Sequence, residues 1–181
     1  MHLTCATAVA TCDALEEVCN IRPGIKWIND LILNSKKVGG ILTELSLNGD
    51  GTVNYAVVGI GINCSHCRED FPEELQDTAI SLQMYAKNNV SRSALAAKMV
   101  CALEEMAKNL FSKKYTTMDT YRSSCVTIGK NVTVHTPTED LQGIAVDVEP
   151  DGGLVVRLSD GTMRTVQSGE VSVRGLYGYC Q

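Results

Sequence analysis

The sequence predicts an α+β fold in which helices and a mixed sheet are followed by a small β-barrel. Three observations indicate this fold class. Apolar residues first recur at helical spacing, and then fall into short extended segments separated by turns. After Cys125, short apolar segments alternate with turn signals, which is typical of a small barrel. A chain of 181 residues can bury an apolar core without disulfide bonds.

The first element is a helix predicted over residues 4–20. Cys5, Cys12 and Cys19 recur every seven residues, which places them near one stripe of that helix. We interpret these cysteines as small core hydrophobes. Arg22-Pro23-Gly24 ends the helix, because proline and glycine both interrupt helical backbone.

Strands are predicted next, at residues 25–27, 31–33, 39–46 and 53–63. Asn48-Gly49-Asp50-Gly51 is a strong hairpin signal between the last two. Residues 55–63 are apolar almost throughout, and such a run predicts a strand that is covered on both faces. Strands joined by short loops behind a helix predict a layered domain.

Two helices are predicted before the barrel. Ser91 has the side chain of an N-cap and would begin a long helix that reaches about Lys113. A second helix is predicted over residues 116–123. Apolar residues of the long helix follow helical spacing and are expected to face the core: Leu95, Met99, Leu103, Met106 and Leu110.

Five short strands are predicted in the barrel, at residues 132–134, 143–148, 154–158, 163–166 and 171–174. Their number, length and spacing are those of an SH3-like barrel. We therefore predict two domains, the first over residues 1–126 and the barrel over residues 127–181.

The composition excludes several classes of function. Sixteen Lys and Arg residues oppose 21 Asp and Glu residues, so the net charge is −5. An acidic chain lacks the basic face of a nucleic-acid-binding protein. No apolar run approaches the roughly 20 residues that a membrane-spanning helix needs, and residues 1–6 do not resemble a signal peptide. We therefore expect a cytoplasmic protein with no nucleic-acid or membrane partner.

The eight cysteines are expected to be reduced thiols. Cys64 and Cys67 flank His66 in a CxxC segment, which could supply half of a zinc site or a redox pair. The other histidines, His2 and His135, are isolated in the sequence and supply no second half. We therefore predict no metal site, and a metal or redox role is the weakest functional alternative.

The chemistry is concentrated in two neighbouring segments, residues 26–30 (KWIND) and 35–42 (SKKVGGIL). They hold Lys26 and Lys37 with a carboxylate between them, and paired glycines follow the second lysine. Lysine suits a phosphate or a developing oxyanion, and glycines let a ligand approach the backbone closely. These residues suit an anionic nucleotide such as an acyl-adenylate. The alternative is a solvated hairpin with lysines at its turn.

The order of the segments resembles the catalytic domain of biotin protein ligase, also called biotin–[acetyl-CoA-carboxylase] ligase. That family carries KWPND, then K-x-G/A-G-I-L, then G-x-G-x-N. The chain has KWIND at 26–30, KVGGIL at 37–42 and GIGIN at 59–63. The resemblance covers about residues 4–175. It implies a fold like the class II aminoacyl-tRNA synthetases and biotin ligases, incomplete at the N-terminus, before the barrel.

The resemblance also implies an activity. Such ligases condense biotin with ATP, accompanied by Mg²⁺, to give biotinyl-5′-AMP. They then transfer biotin to a lysine of a biotin carboxyl carrier protein, a subunit of acetyl-CoA carboxylase. Lys37 and Asp30 match the catalytic positions. Lys37 would stabilise charge on the α-phosphate, and Asp30 would position or deprotonate the acceptor amine.

Further positions match the residues that hold the two substrates. By resemblance, the biotin-binding residues are Lys37, Gly39, Gly40, Ile41 and Gly61. By the same resemblance, the nucleotide-binding residues are Lys26, Asn29, Asn63 and Arg174. Trp27 is interpreted as a packing residue.

Two departures from the family pattern carry expectations. Ile28 stands where the motif has proline and predicts a looser loop, because proline would fix φ. A G-R-G-R-x-G-R segment, which closes over biotinyl-AMP in the family, does not occur in the chain. We therefore expect a truncated chain with doubtful activity in isolation.

Two functions from different classes stay open. The chain is either a ligase, truncated or completed by another chain, or a non-catalytic remnant that acts as a ligand-binding or protein-interaction module. An unpaired sheet edge also predicts self-association into a homo-oligomer.

Overall fold

The computed structural model describes residues 1–87, 89–135, 140–167 and 170–173. Within those residues the chain forms two antiparallel sheets and four α-helices, and this confirms the α+β prediction. Two isolated parallel bridges, Ile25 with Cys125 and Lys37 with Ala79, add to the antiparallel pairings. No helix in the described residues is long and apolar enough to span a bilayer.

The first region is a helix packed on a four-stranded sheet. Helix α1 spans His2–Cys19 and confirms the first predicted helix. It ends where Asn20 adopts a left-handed conformation and its N–H donates to the Glu16 carbonyl at 2.9 Å. The sheet has the order β1-β2-β3-β4, with β1 at Gly24–Lys26, β2 at Asp30–Leu33, β3 at Lys36–Leu47 and β4 at Val53–Ile62.

The cysteines of α1 behave as core hydrophobes, as predicted for Cys5 and Cys12. Both side chains are fully buried. Burial raises the pKa of each thiol from 9.0 to about 12, because a thiolate is poorly solvated there. Cys19 lies at the end of the helix and is only partly buried. Cys5 and Cys12 are therefore neutral packing groups.

The prediction that β4 is covered on both faces is wrong. None of its residues is buried, and its first five residues are exposed. Among the described strands β4 pairs only with β3, so it forms the edge of the sheet. Val58 and Ile60 contact the core on one face, whereas Tyr55 and Val57 remain 58% and 51% exposed.

Two longer helices cover the other side of α1. After the short helix α2 at Leu82–Ala86, α3 spans Arg92–Asn109 and α4 spans Lys114–Ser124. The Ala94 N–H donates to the Ser91 hydroxyl at 3.3 Å, which confirms the predicted N-cap. Of the predicted core positions in α3 only Leu95 is fully buried, because this helix contacts α1 along one narrow stripe.

The second region is a five-stranded antiparallel barrel-like sheet in the order β8-β7-β6-β5-β9, which confirms the five predicted strands. Its core consists of fully buried side chains, namely Val134, Ala145, Val148, Leu154 and Val156. The strand bounds are β5 at Asn131–His135, β6 at Asp140–Val148, β7 at Leu154–Leu158, β8 at Met163–Val166 and β9 at Glu170–Val173.

Candidate functional site

A cavity of about 760 Å³ lies where the first sheet meets β9 of the second. Seven of the predicted site residues line it, and they come from the four strands of the first sheet and the loop after β4. These residues are Lys26, Asp30, Lys37, Gly39, Gly40, Gly61 and Asn63. The fold therefore brings most of the predicted site together around one concave surface.

The central pair of the cavity is Lys37 and Asp30. The Lys37 Nζ lies 2.5 Å from Asp30 Oδ1. The lysine side chain is 46% exposed and the carboxylate 16% exposed, so the ammonium faces the cavity. A Cβ on Gly40 would lie 3.2 Å from Lys37 Cε and 3.4 Å from Asp30 Oδ1. Glycine at this position therefore leaves room beside the ion pair.

The backbone of Lys37 is held on its far side by the loop that precedes α2. Its N–H donates to the Thr78 carbonyl at 2.8 Å, and its carbonyl accepts from the Ile80 N–H at 2.9 Å. These two bonds form the parallel bridge with Ala79. Lys37 therefore has a fixed backbone and a side chain that reaches solvent.

The glycines form a close backbone wall. A Cβ on Gly39 would lie 2.5 Å from the Gly61 carbonyl oxygen, a distance that no side chain tolerates. Gly61 has open space in front of it, since the atom nearest to a Cβ placed there would be the Gly40 carbonyl oxygen at 4.0 Å. The wall is therefore accessible to a ligand at Gly61 and closely packed at Gly39.

Asn63 closes the end of the wall. Its N–H donates to the Val38 carbonyl at 2.8 Å, and its side-chain amide donates to the Ile80 carbonyl at 3.2 Å. The side-chain oxygen is the remaining acceptor of this amide.

Asn29 and Ile41 do not line the cavity. The Asn29 side-chain amide donates to the Ile41 carbonyl at 2.7 Å, and the Ile41 N–H donates to the Asn29 carbonyl at 3.0 Å. Ile41 is 2% exposed. The pair therefore ties the loop after β1 to β3 behind the wall. Arg174, the remaining predicted nucleotide contact, lies outside the described residues.

The loop at Ile28 is held at several points. This differs from the looser loop that is expected from the sequence because isoleucine stands there instead of proline. The Ile28 carbonyl accepts from the Tyr121 hydroxyl at 3.0 Å. The next residue, Asn29, is bonded to β3, and Asp30 begins β2. Contacts from other elements therefore order this segment without proline.

Several lining residues were not predicted from the sequence. They are Ile62, Phe71, Leu75, Thr78, Ala79 and the β9 residues Val171, Ser172 and Val173. Phe71 is 8% exposed within an otherwise polar segment, and a lone aromatic side chain there is the signal that could have indicated it. The contribution of β9 depends on contacts across more than 100 residues and has no local signal.

The charges of the cavity favour an anionic ligand. Among its described lining residues, Lys26 and Lys37 oppose the single carboxylate of Asp30. The rest of the lining is glycine, apolar or neutral polar. Such a surface can bind an apolar ring system at one end and a carboxylate or phosphate at the other.

The CxxC segment lies outside this cavity. Cys67 Sγ donates to Asp70 Oδ2 at 3.0 Å, and this carboxylate raises the pKa of the Cys67 thiol. Burial raises the pKa of Cys64. Over the described ranges, no three His, Cys, Asp or Glu side chains are grouped so that they could hold a metal ion. Neither thiol has the depressed pKa of a reactive cysteine.

Two family models match the chain. Residues 1–63 match the biotin/lipoate A/B protein ligase family, and residues 127–174 match the biotin protein ligase C-terminal domain. The first match includes every lining residue of the first sheet, and the second includes β9.

Curated relatives match over almost the whole chain. The bifunctional ligase/repressor BirA of Bacillus subtilis is 30% identical over 173 residues, which is 95% of this chain and 53% of the relative. The biotin–[acetyl-CoA-carboxylase] ligase of Mycobacterium tuberculosis is 28% identical over 93% of this chain and 61% of its own length. The chain therefore spans little more than half the length of these relatives.

Solved structures agree with the relatives. The apo biotin protein ligase of Aquifex aeolicus superposes with a TM-score of 0.83 and 27% identity, covering 96% of this chain and 75% of that one. The same enzyme in complex with biotin and ATP gives a TM-score of 0.81 at 28% identity, over 96% and 71% of the two chains. The sequence motifs, both family models, the relatives and the folds agree, and together they support a biotin protein ligase.

Proposed function

We propose that the chain forms biotinyl-5′-AMP from biotin and ATP, with Mg²⁺ accompanying the nucleotide, and transfers biotin to a lysine of a biotin carboxyl carrier protein. The observation that carries the proposal is the Lys37–Asp30 pair beside the glycine wall in one cavity. The complex of the Aquifex aeolicus ligase with biotin and ATP supports both small molecules as substrates.

In the first step the biotin carboxylate attacks the α-phosphate. An O–P bond forms, the bond to the bridging oxygen breaks, and pyrophosphate leaves. We assign the Lys37 ammonium the role of stabilising the negative charge that develops at phosphorus. The Lys37 backbone is fixed and its side chain reaches the cavity. Gly39, Gly40 and Gly61 are assigned the wall beside biotin.

In the second step the acceptor lysine attacks the biotinyl carbonyl. A C–N bond forms, AMP leaves with the phosphate oxygen, and the amine loses a proton. We assign Asp30 the role of accepting that proton, because its carboxylate lies at the cavity surface beside Lys37. Lys26 and Asn63 are assigned to the nucleotide, and the same assignment for Arg174 rests on the sequence resemblance alone. Asn29 and Ile41 support the wall from behind.

The domain division, compartment and assembly belong to the same proposal. We place the catalytic domain at residues 1–126, the SH3-like barrel at 127–181, and the protein in the cytoplasm. The exposed edge strand β4 favours self-association of the chain.

A non-catalytic binding module is the second candidate. The apolar surface of β3 and β4 favours it, because Leu42, Leu45 and Tyr55 are each more than half exposed. A module of this kind would keep the cavity and bind a partner through this surface.

The test is a turnover assay on the purified chain with biotin, ATP, Mg²⁺ and a carrier domain. Biotinyl-5′-AMP and biotinylated carrier are measured by mass spectrometry. We expect both products, and Lys37→Ala should reduce adenylate formation by about 10²–10³-fold. Lys36→Ala is the matched control, because the Lys36 Nζ bonds to the Gln76 carbonyl at 3.4 Å and does not line the cavity. A folded chain without either product would favour the binding module.

Asp30→Asn separates the two steps. Removing the carboxylate deletes the proton acceptor but leaves the Lys37 ammonium, so we expect transfer to the carrier to fall by about 10²-fold or more while adenylate formation is retained. The two products are followed in single-turnover experiments. Equal loss in both steps would assign Asp30 to substrate binding instead.

A further inference from the structure

The segment at residues 26–30 is tied to the barrel by contacts that the proposed catalytic roles do not use. The Trp27 N–H donates to the Thr127 hydroxyl at 2.9 Å, and the Trp27 indole N–H donates to the Gly152 carbonyl at 2.8 Å. Trp27 is 4% exposed and Thr127 is fully buried. One residue of the KWIND motif therefore makes two buried hydrogen bonds to residues beyond position 126.

The Gly152 carbonyl is presented by the turn between β6 and β7. The Gly152 N–H donates to the Glu149 carbonyl, and the Glu149 N–H donates to the Gly153 carbonyl, both at 2.8 Å. Gly152 has a φ of +95°, and a Cβ there would lie 2.9 Å from Met1 Cβ and 3.1 Å from Cys5 Sγ. The turn is therefore wedged against α1, where only glycine fits.

The connection continues from Trp27 to the cavity. Lys26 precedes Trp27 and lines the cavity, and Asn29 follows two residues later with its bonds to Ile41. Asp30 comes next and pairs with Lys37. A displacement of the indole would therefore be transmitted along three peptide units to the carboxylate.

We infer that Trp27 and Thr127 are positioning residues: the Thr127 hydroxyl and the barrel turn at Gly152 each fix Trp27, and Trp27 in turn holds Lys26 and Asp30 in place. A buried N–H that loses its acceptor is destabilising, so both bonds constrain this segment strongly. The catalytic consequence of the inference rests on the proposed ligase function, whereas the coupling itself does not. The barrel then acts as part of the site, although among its described residues those that line the cavity all belong to β9.

The test uses hydrogen exchange of one amide in the unliganded full chain. The Ile41 N–H donates to the Asn29 carbonyl, so its protection reports whether the segment is in place. Thr127→Val removes one acceptor at nearly constant shape, and Trp27→Phe removes one donor. We expect each variant to accelerate Ile41 exchange by at least about fivefold relative to the Asn63 N–H, which bonds to Val38.

A matched glycine pair controls for general loss of barrel stability. Gly152→Ala and Gly161→Ala both place a side chain at positive φ, but nothing lies within 4 Å of the Cβ position at Gly161. Gly152→Ala should accelerate Ile41 exchange and Gly161→Ala should not. Unchanged Ile41 protection in Thr127→Val and Trp27→Phe, or equal effects of the two glycine variants, would overturn the inference.

Turnover provides the second readout. In an active chain, Thr127→Val should lower kcat for transfer to the carrier by about tenfold with little change in the KM for the carrier, because it displaces the Asp30 carboxylate without removing it. Thr127→Val turnover equal to that of the unsubstituted chain would overturn the catalytic consequence. Absence of turnover in the unsubstituted chain would overturn the proposed function, and the exchange comparison would still decide the coupling.

Discussion

The two ends of the first sheet differ although they share strands. At the cavity end, Ile25, Leu31 and Val38 are fully buried beneath the charged pair. At the hairpin end, Leu45, Leu47 and Val53 are each more than half exposed. Both ends are apolar in sequence, so hydrophobicity alone does not distinguish them. The difference lies in what covers them, because Ile25, Leu31 and Val38 belong to the core cluster that includes residues of α1, α4 and the barrel, whereas Leu45, Leu47 and Val53 do not.

A pair of leucine truncations gives the largest test of this contrast. Leu31→Ala should lower the free energy of unfolding by about 2–5 kcal/mol, because it opens a cavity in the buried end. Leu45→Ala removes the same atoms from a side chain that is 56% exposed, and should change stability by less than about 0.5 kcal/mol. Urea denaturation followed by circular dichroism measures both. Similar losses would mean that the hairpin is buried in solution.

The buried thiols of α1 test the burial of the first region through the pH dependence of the free energy of unfolding. The pKa values of Cys5 and Cys12 are raised from 9.0 to about 12 by burial, so both states bind the proton below pH 9. Above pH 9 the unfolded chain releases these protons while the folded chain keeps them. The stability that the two neutral thiols contribute is therefore fully present below pH 9 and is lost as the pH rises toward 12.

We expect a loss of about 1 kcal/mol per thiol between pH 8 and pH 10, measured by urea denaturation. Cys5→Ala should lower the free energy of unfolding at pH 8. It should also reduce the loss between pH 8 and pH 10 by the contribution of one thiol. An unchanged pH slope in Cys5→Ala would contradict the assignment.

The smallest effect is expected at the hairpin edge. Val57→Lys places a charge on the exposed edge strand and should reduce self-association of the chain, because a charged edge resists strand pairing. Sedimentation velocity measures the result. Val100→Lys is the matched control, since Val100 is 67% exposed on α3. A monomeric unsubstituted chain, or equal behaviour of the two variants, would contradict self-association through β4.

The local elements could be predicted from the sequence, because their signals are local. Helical spacing indicated α1, the Asn48–Gly51 turn indicated the β3–β4 hairpin, and Ser91 indicated the start of α3. The exposure of β4 could not be predicted in this way. A continuous apolar run has the same pattern whether or not another layer covers it.

In the candidate site, too, residues with a local sequence signal differ from residues that long-range packing brings in. The structure places Lys37, Asp30 and the glycines around one cavity, and their roles toward a ligand stay predictions. Asn29 shows the limit of this reasoning, because its motif position suggested a ligand contact and its amide instead bonds to Ile41. Phe71, Ala79 and β9 entered the lining through long-range packing. Such contacts leave no pattern in neighbouring residues.

The most direct test of the account is calorimetric binding of biotinyl-5′-AMP to the purified chain and to its two lysine variants. We expect binding to the unsubstituted chain and to Lys36→Ala, with affinity at least about tenfold lower for Lys37→Ala, because Lys37 lines the cavity and Lys36 does not. Equal affinity of the two lysine variants, or no binding by a folded unsubstituted chain, would contradict the assignment of this cavity as the adenylate site.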